Sequence, residues 1–265
     1  MREADPEAVK QFNLTPAAGK RLIAKGLAAN PEVLRALKDA TIVIVAGTTN
    51  GYVAEEIFAA LGTPVDFSRE RFFRGITLPS NFPKTESGRL PDEGKFPGDI
   101  VLEKGIWKKG QTIFDVVDEL KEGDLVFKGA NALDINRRRA AILIGHPKAG
   151  TIGAILQAVY GRRVRLILPV GLEKRVSGDL DELADLLNAP GAGGTRYVPA
   201  PGRAYTEIDA LEELTGIRSV LSAAGGVSGA EGSVWLAVRG SAGQAAEAER
   251  LIQSVAGEPA FILQG

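Results

Sequence analysis

The chain has 265 residues, 45% hydrophobic and 25% charged, an ordinary globular balance that excludes disorder, collagen and coiled coil as the main state. Its 32 Lys plus Arg stand against 33 Asp plus Glu, a net charge of -1, so a surface built to coat nucleic acid is not expected. With no cysteine and one histidine, His146, the composition excludes disulfides, thiolate metal sites and multi-histidine metal sites, and neither a metal nor a cofactor is predicted.

Taken in chain order, residues 5–39 read as helical. An amphipathic stretch starts at Pro6 and Glu7. Thr15-Pro16 is an N-cap before an N1 proline, and Leu22, Ile23 and Leu27 recur at helical spacing behind it. Asn30-Pro31 repeats the signal for a short helix reaching Lys38. The run TIVIVAG at 41–47 is β-branched and apolar and predicts a buried strand. Asn50 is expected to cap the next helix, which ends at Gly62.

Residues 63–111 differ in character. Pro64, Pro79, Pro83, Pro91 and Pro97 interrupt them, and the segment is too long for a simple connection. It reads as an excursion with short strands at 71–78 and 98–107 around a polar tip at 84–94. A helix is expected at 112–121, strands at 124–130 and 140–145, a helix at 151–161 and a strand at 163–171. This order fits an α/β domain with a largely parallel sheet, spanning 1–176. Beyond it come a helix at 179–188, a Pro/Gly-rich linker at 189–203, a helix at 206–216, a hairpin at 218–240 and a helix at 243–257. Residues 203–265 thus read as a smaller α+β, ferredoxin-like lid. No apolar run approaches the roughly 20 residues that a membrane span needs, and the polar start of the chain is unlike a secretory signal. A cytoplasmic location without a membrane partner is expected.

Three polar turns fall where an α/β sheet binds its ligands, beyond the carboxyl ends of strands. The first, Gly47, Thr48, Thr49, Asn50, offers backbone N–H groups and hydroxyls at a helix start, suited to an anion or simply to a tight turn with an N-cap. The second runs from Gly145 through His146, Lys148 and Gly150 to Thr151. It departs from the phosphate-loop pattern G-x-x-x-x-G-K-[ST], but Lys148 and Thr151 can hold an anion, and His146 is a candidate acid/base or a plain loop residue. The third, Lys128, Gly129, Asn131 to Asp134, supplies one charge and directional hydrogen bonds, or an Asx turn closed by Asp134. Arg137, Arg138 and Arg139 read as a solvated face. In the excursion, Arg69, Arg71 and Arg74 alternate with Phe67, Phe72 and Phe73, a pattern for packing onto the body, for a subunit contact or for clasping a planar ligand.

The segments 41–62 and 124–176 resemble ribose-5-phosphate isomerase A and the sugar-responsive effector domains of DeoR-type repressors. The layout is also similar to methylthioribose-1-phosphate isomerases and CoA transferases. The resemblance, over roughly 17–62 and 111–176, implies a Rossmann-like sheet and a pocket for a phosphorylated ligand, with Lys174 in its last polar segment. The C-terminal unit resembles the lid of ribose-5-phosphate isomerase. The catalytic pattern departs from the family: the D-G-A-D turn is here Lys128-Gly129-Ala130-Asn131, the following helix lacks its Glu, and the chain has no Cys.

The resulting expectation is a protein that binds a sugar phosphate or nucleotide at the sheet edge. The alternatives are a sugar-phosphate isomerase or transferase using Asp134 or His146 as acid/base with Lys128 as electrostatic stabiliser, and an interaction module. A homo-oligomer built on the excursion and the hairpin is compatible with any of these.

Overall fold

The computed structural model describes residues 7–62, 64–78 and 96–263. Its elements are β1 (Glu7–Leu14), α1 (Pro16–Ala29), α2 (Pro31–Asp39), β2 (Thr41–Ile44), α3 (Thr48–Leu61), β3 (Ile100–Glu103), β4 (Ile106–Trp107), α4 (Ile113–Val116), β5 (Leu125–Phe127), β6 (Ala132–Asp134), β7 (Arg139–Ile144), α5 (Gly150–Arg162), β8 (Arg165–Pro169), α6 (Leu180–Asn188), β9 (Arg196–Ala200), β10 (Arg203–Tyr205), α7 (Glu207–Thr215), β11 (Arg218–Ala224), β12 (Val234–Ser241) and α8 (Ala242–Ala256).

The central sheet has six strands in the order β10-β8-β5-β2-β3-β4. Strands β10, β8, β5 and β2 run parallel, while β3 and β4 form an antiparallel hairpin on the other side of β2. The sheet is therefore mixed, and the fold is α/β. β2, β5 and β8 are nearly continuous apolar runs because both faces of a sheet with parallel crossovers are covered. The chain leaves β2 toward β3 on one side and returns to β5 on the other, so the strand order reverses beside β2. Because β3 is antiparallel, its first residues lie at the same edge as the carboxyl ends of β2, β5 and β8.

Two smaller antiparallel sheets complete the molecule, β1-β12-β11 and β6-β7-β9. The first corrects the helical expectation for the stretch beginning at Glu7. Ala8, Lys10, Phe12 and Leu14 alternate inward, and all eight residues pair with β12. Intrinsic helix propensity is a weak preference even for Ala and Glu, and a partner strand more than 200 residues away overrides it. The linker expectation for 189–203 is corrected as well: Arg196–Ala200 form β9 of the second small sheet, and Arg203 begins β10 of the central sheet. Pro199 is tolerated because β9 lies at the edge of its sheet.

The Thr15 and Asn30 caps form as expected: Thr15 accepts from Ala18 N–H at 3.2 Å and Asn30 from Glu32 N–H at 3.0 Å. Gly62 closes α3 in the left-handed region. The helix expected at 112–121 is a single turn at Ile113–Val116, closed by a Thr112–Asp115 capping box. The strand expected at 71–78 is absent; a short 3-10 turn, Arg69–Arg71, stands before it. The polar tip at 84–94 lies outside the described residues. Phe67 packs on Phe58, Phe72 and Trp107 with centroids 5.2–6.3 Å apart, fastening the segment to the body. Arg69 and Arg21 both lie over the ring of buried Tyr52, at 4.4 and 4.8 Å from its centroid, and both pair with Glu55 and Glu258. Arg137 and Arg138 are exposed and Arg139 partly so, as a solvated face requires, and each also meets a carboxylate of another segment: Asp179, Asp209 and Asp181.

Helix α1 packs against α3 on one side and α7 on the other, so one continuous core runs from the central sheet to the β1-β12-β11 layer. Gly26 permits the approach. A Cβ there would lie 2.5 Å from the Tyr205 hydroxyl and 2.8 Å from the Ala210 Cα, which is backbone and cannot swing aside. Gly26→Ala is expected to lower unfolding stability by about 1–3 kcal/mol in urea denaturation despite its better helix propensity; a gain would show that the two helices are free to separate.

Candidate functional site

At the sheet edge where the strand order reverses lies a cavity of about 370 Å³. Its lining includes Ala46 after β2, Lys128 and Asn131 after β5, the end of β7 with the turn from Gly145 through His146 and Lys148 to Ile152, Arg74 to Thr77, and Phe114. Of the expected site residues, the cavity gathers Lys128, Asn131, His146, Lys148, Gly150 and Thr151. Arg74, Thr77, Phe114 and Thr195 join them.

The architecture behind the cavity rests on Asp99, fully buried just before β3. One carboxylate oxygen accepts the Ala46 N–H at 2.9 Å, and the other accepts the Ile113 N–H at 2.8 Å and the Arg74 guanidinium at 2.9 Å. Asp99 thus ties together the end of β2, the start of α4 and the segment carrying Arg74. The Arg74 guanidinium lies 4.5 Å from the Phe96 ring centroid. Asn50 performs the matching task on the other side. Rather than capping α3, whose N-cap is Gly47, it is buried in the first turn. Its side-chain amide donates to Val45 O at 2.7 Å and Phe127 O at 3.0 Å, joining the ends of β2 and β5.

Lys128 is half-buried, and its Nζ lies 3.5 Å from the Gly129 carbonyl. Burial, helped by the charges of Lys174 and Arg74 and opposed by Asp99, brings its ammonium down to about 8. Asn131 accepts from Leu143 N–H at 3.1 Å through its side-chain oxygen, which leaves its amide group as a donor. His146 Nδ1 accepts from Lys148 N–H at 3.1 Å, so the neutral ring carries its proton on Nε2. Helix α5 begins behind Ala149, which has no side chain to cap the first N–H groups, and its first turn holds no acidic residue. Its N-terminal partial charge therefore has neither a side-chain cap nor an acidic neighbour in the first turn.

The remaining candidates lie outside the lining. Gly47, Thr48, Thr49 and Asn50 form the α3 start beside it. Gly129 is adjacent to Lys128, and Lys174 Nζ donates to Ala130 O at 2.8 Å. Burial lowers the Lys174 ammonium. Asp134 closes an Asx turn, accepting from Asn136 and Arg137 N–H at 3.0 Å each, and faces Arg137. Asp99 escaped sequence reasoning because nothing local marks it; its three donors come from three separate segments.

Among the described residues, no cluster of His, Asp or Glu could hold a metal ion, and no helix is long and apolar enough to cross a membrane. Comparison with family models, curated proteins and solved structures returns no match for this chain.

Proposed function

We propose that the chain binds a phosphorylated small metabolite, a sugar phosphate or nucleotide, in the cavity above Lys128. The observation that carries this reading is the convergence of Arg74, Lys128, Lys148 and the open start of α5 on one cavity that no carboxylate among the described residues lines. Cations and helix N–H groups are what an anion needs, and the crevice beside β2 is where an open α/β sheet offers them. Hydroxyl and amide donors of Thr77, Thr151 and Asn131 suit a sugar. The Rossmann-like arrangement of the ribose-5-phosphate isomerase group is the proposed parentage, supported by polar turns after β2 and β5 and before α5.

A catalytic reading is favoured by one observation: His146 lines the cavity with Nε2 uncommitted to its own turn. Asp134 supports it less, since its carboxylate is held by Asn136 and Arg137. On that reading His146→Ala removes turnover of any sugar phosphate that binds.

The test is a thermal-shift titration with inorganic phosphate, glycerol 3-phosphate and a panel of sugar phosphates and nucleotides. A ligand present at 100 times its Kd stabilises the native state by about 2.7 kcal/mol. The expected result is a saturable shift with a phosphorylated compound. Replacing Lys128 by Met is expected to weaken that binding by roughly ten- to a hundredfold, the worth of one charge-assisted hydrogen bond. No shift with any phosphorylated compound removes the reading.

A further inference from the structure

We propose that Lys128 is a carbonyl-capturing amine, whose Nζ forms a reversible Schiff base with the aldehyde or ketone of a phosphorylated carbonyl compound held in the cavity. The inference rests on the phosphate site proposed above and names the reactive group of its ligand.

The geometry sets Lys128 apart from the other cations of the site. Arg74 is bound to Asp99, and Lys174 donates to Ala130 O. Lys148 is exposed at the cavity mouth. Lys128 alone is half-buried, lines the cavity, and has no ion pair among the described residues; the one contact of its Nζ is a long 3.5 Å approach to the neighbouring Gly129 carbonyl. A lysine meant only to hold a charge in place is ordinarily bonded to a carboxylate or carbonyl. Here Asp99, the carboxylate whose charge acts on Lys128, already accepts three hydrogen bonds.

Burial and two neighbouring cations keep part of Lys128 unprotonated near neutrality. At about 8 it holds on the order of a hundredfold more free amine at pH 7 than an ordinary lysine. Desolvation beside other cations is the recognised way to make a lysine nucleophilic.

The step balances without a further reactant. The amine lone pair attacks the carbonyl carbon, a C–N bond forms, and the carbonyl oxygen takes a proton to become the hydroxyl of a carbinolamine. The nitrogen then loses its second proton, the hydroxyl leaves as water, and the imine remains. The Nε2–H of His146, which lines the same cavity, is the donor available for the departing oxygen. The phosphate, held by Lys148 and the start of α5, positions the carbonyl and raises its effective concentration at Nζ.

The experiment treats the full chain with D-glyceraldehyde 3-phosphate and sodium borohydride, then maps the reduced adducts by peptide mass spectrometry. Glycerol 3-phosphate, which has the phosphate and no carbonyl, serves as competitor. The expected result is labelling at Lys128 on the order of a hundredfold faster than at exposed lysines, suppressed by excess glycerol 3-phosphate. Lys128→Arg keeps the positive charge but has no nucleophilic amine, and it is expected to lose the adduct. Adduct mapping on the unaltered chain decides the matter by itself should the variant fold poorly. Adducts spread evenly over exposed lysines, or unchanged total labelling in Lys128→Arg, overturn the inference. Binding of glycerol 3-phosphate without any adduct at Lys128 overturns the Schiff base and leaves the phosphate site standing. If neither compound shifts the melting temperature nor labels Lys128, both readings fall.

Discussion

Asp99→Ala is expected to cost about 3–5 kcal/mol of unfolding stability, the loss that follows when one partner of a buried charged pair is removed. The side chain is fully buried and accepts three hydrogen bonds, from Ala46, Ile113 and Arg74. Alanine strands two backbone N–H groups away from water and leaves a guanidinium without its counter-charge. Asn at 99 keeps the shape but turns an NH2 toward N–H donors, so it is expected to recover only part of the loss. Arg74→Ala is the informative contrast. It leaves the carboxylate with both backbone donors and is expected to cost about 1–2 kcal/mol. Urea denaturation of the three variants orders them; Asp99→Ala within about 1 kcal/mol of the parent would show that the carboxylate is not the tie between β2, β3 and α4. Because the same residue orients Arg74, Asp99→Ala is also expected to weaken anion binding in the cavity.

Glu207→Gln is expected to change how stability depends on pH. Glu207 opens α7 and is almost fully buried; one of its oxygens accepts the Leu172 N–H at 3.0 Å. Its other oxygen stands where a Cβ on residue 19 would collide with it, which is why α1 carries glycine there. Burial pushes the carboxyl up to about 8, Glu173 pushes the same way, and Lys20 pulls it down. The unfolded chain releases this proton near about 4.3. Between those values the native state holds a proton that the unfolded state has lost. The stability this contributes is therefore full below about pH 4 and is lost as the pH rises through about 8. Gln keeps the acceptor for Leu172 and never ionises. Its stability is expected to match the parent near about pH 5 and to exceed it by about 1–3 kcal/mol near about pH 9. Parallel pH profiles for the two proteins would show that Glu207 is not the group that titrates.

The elements legible in the sequence are those whose signal is local. β2, β5 and β8 announce themselves as apolar runs, and Thr15-Pro16, Asn30-Pro31 and Gly62 carry their own capping chemistry. The turns after β5 and before α5 are legible as site material for the same reason: polar residues between an apolar strand and a helix at a predictable edge. What fails is whatever depends on a distant partner. β1 is a strand only because β12 lies beside it. Residues 196–200 become β9 because β7 offers an open edge. The helix from Ile113 stops after one turn because the chain must enter β5; Asp124 accepts the Lys121 N–H at 2.8 Å there.

The site divides along the same line. Its supply of chemistry is written in the chain: Lys128, Asn131, His146, Lys148 and Thr151 in turns, and no cysteine. Which of these residues converge is a property of the folded molecule alone. Folding brings Arg74 across from the excursion, sets Asp99 beneath it, and turns Asn50 inward to join two strand ends. It also leaves Lys128 without an ion pair among the described residues. Those outcomes follow from the register of β2 against β3 and β5, a relation between segments far apart in the chain, and no local spacing encodes it.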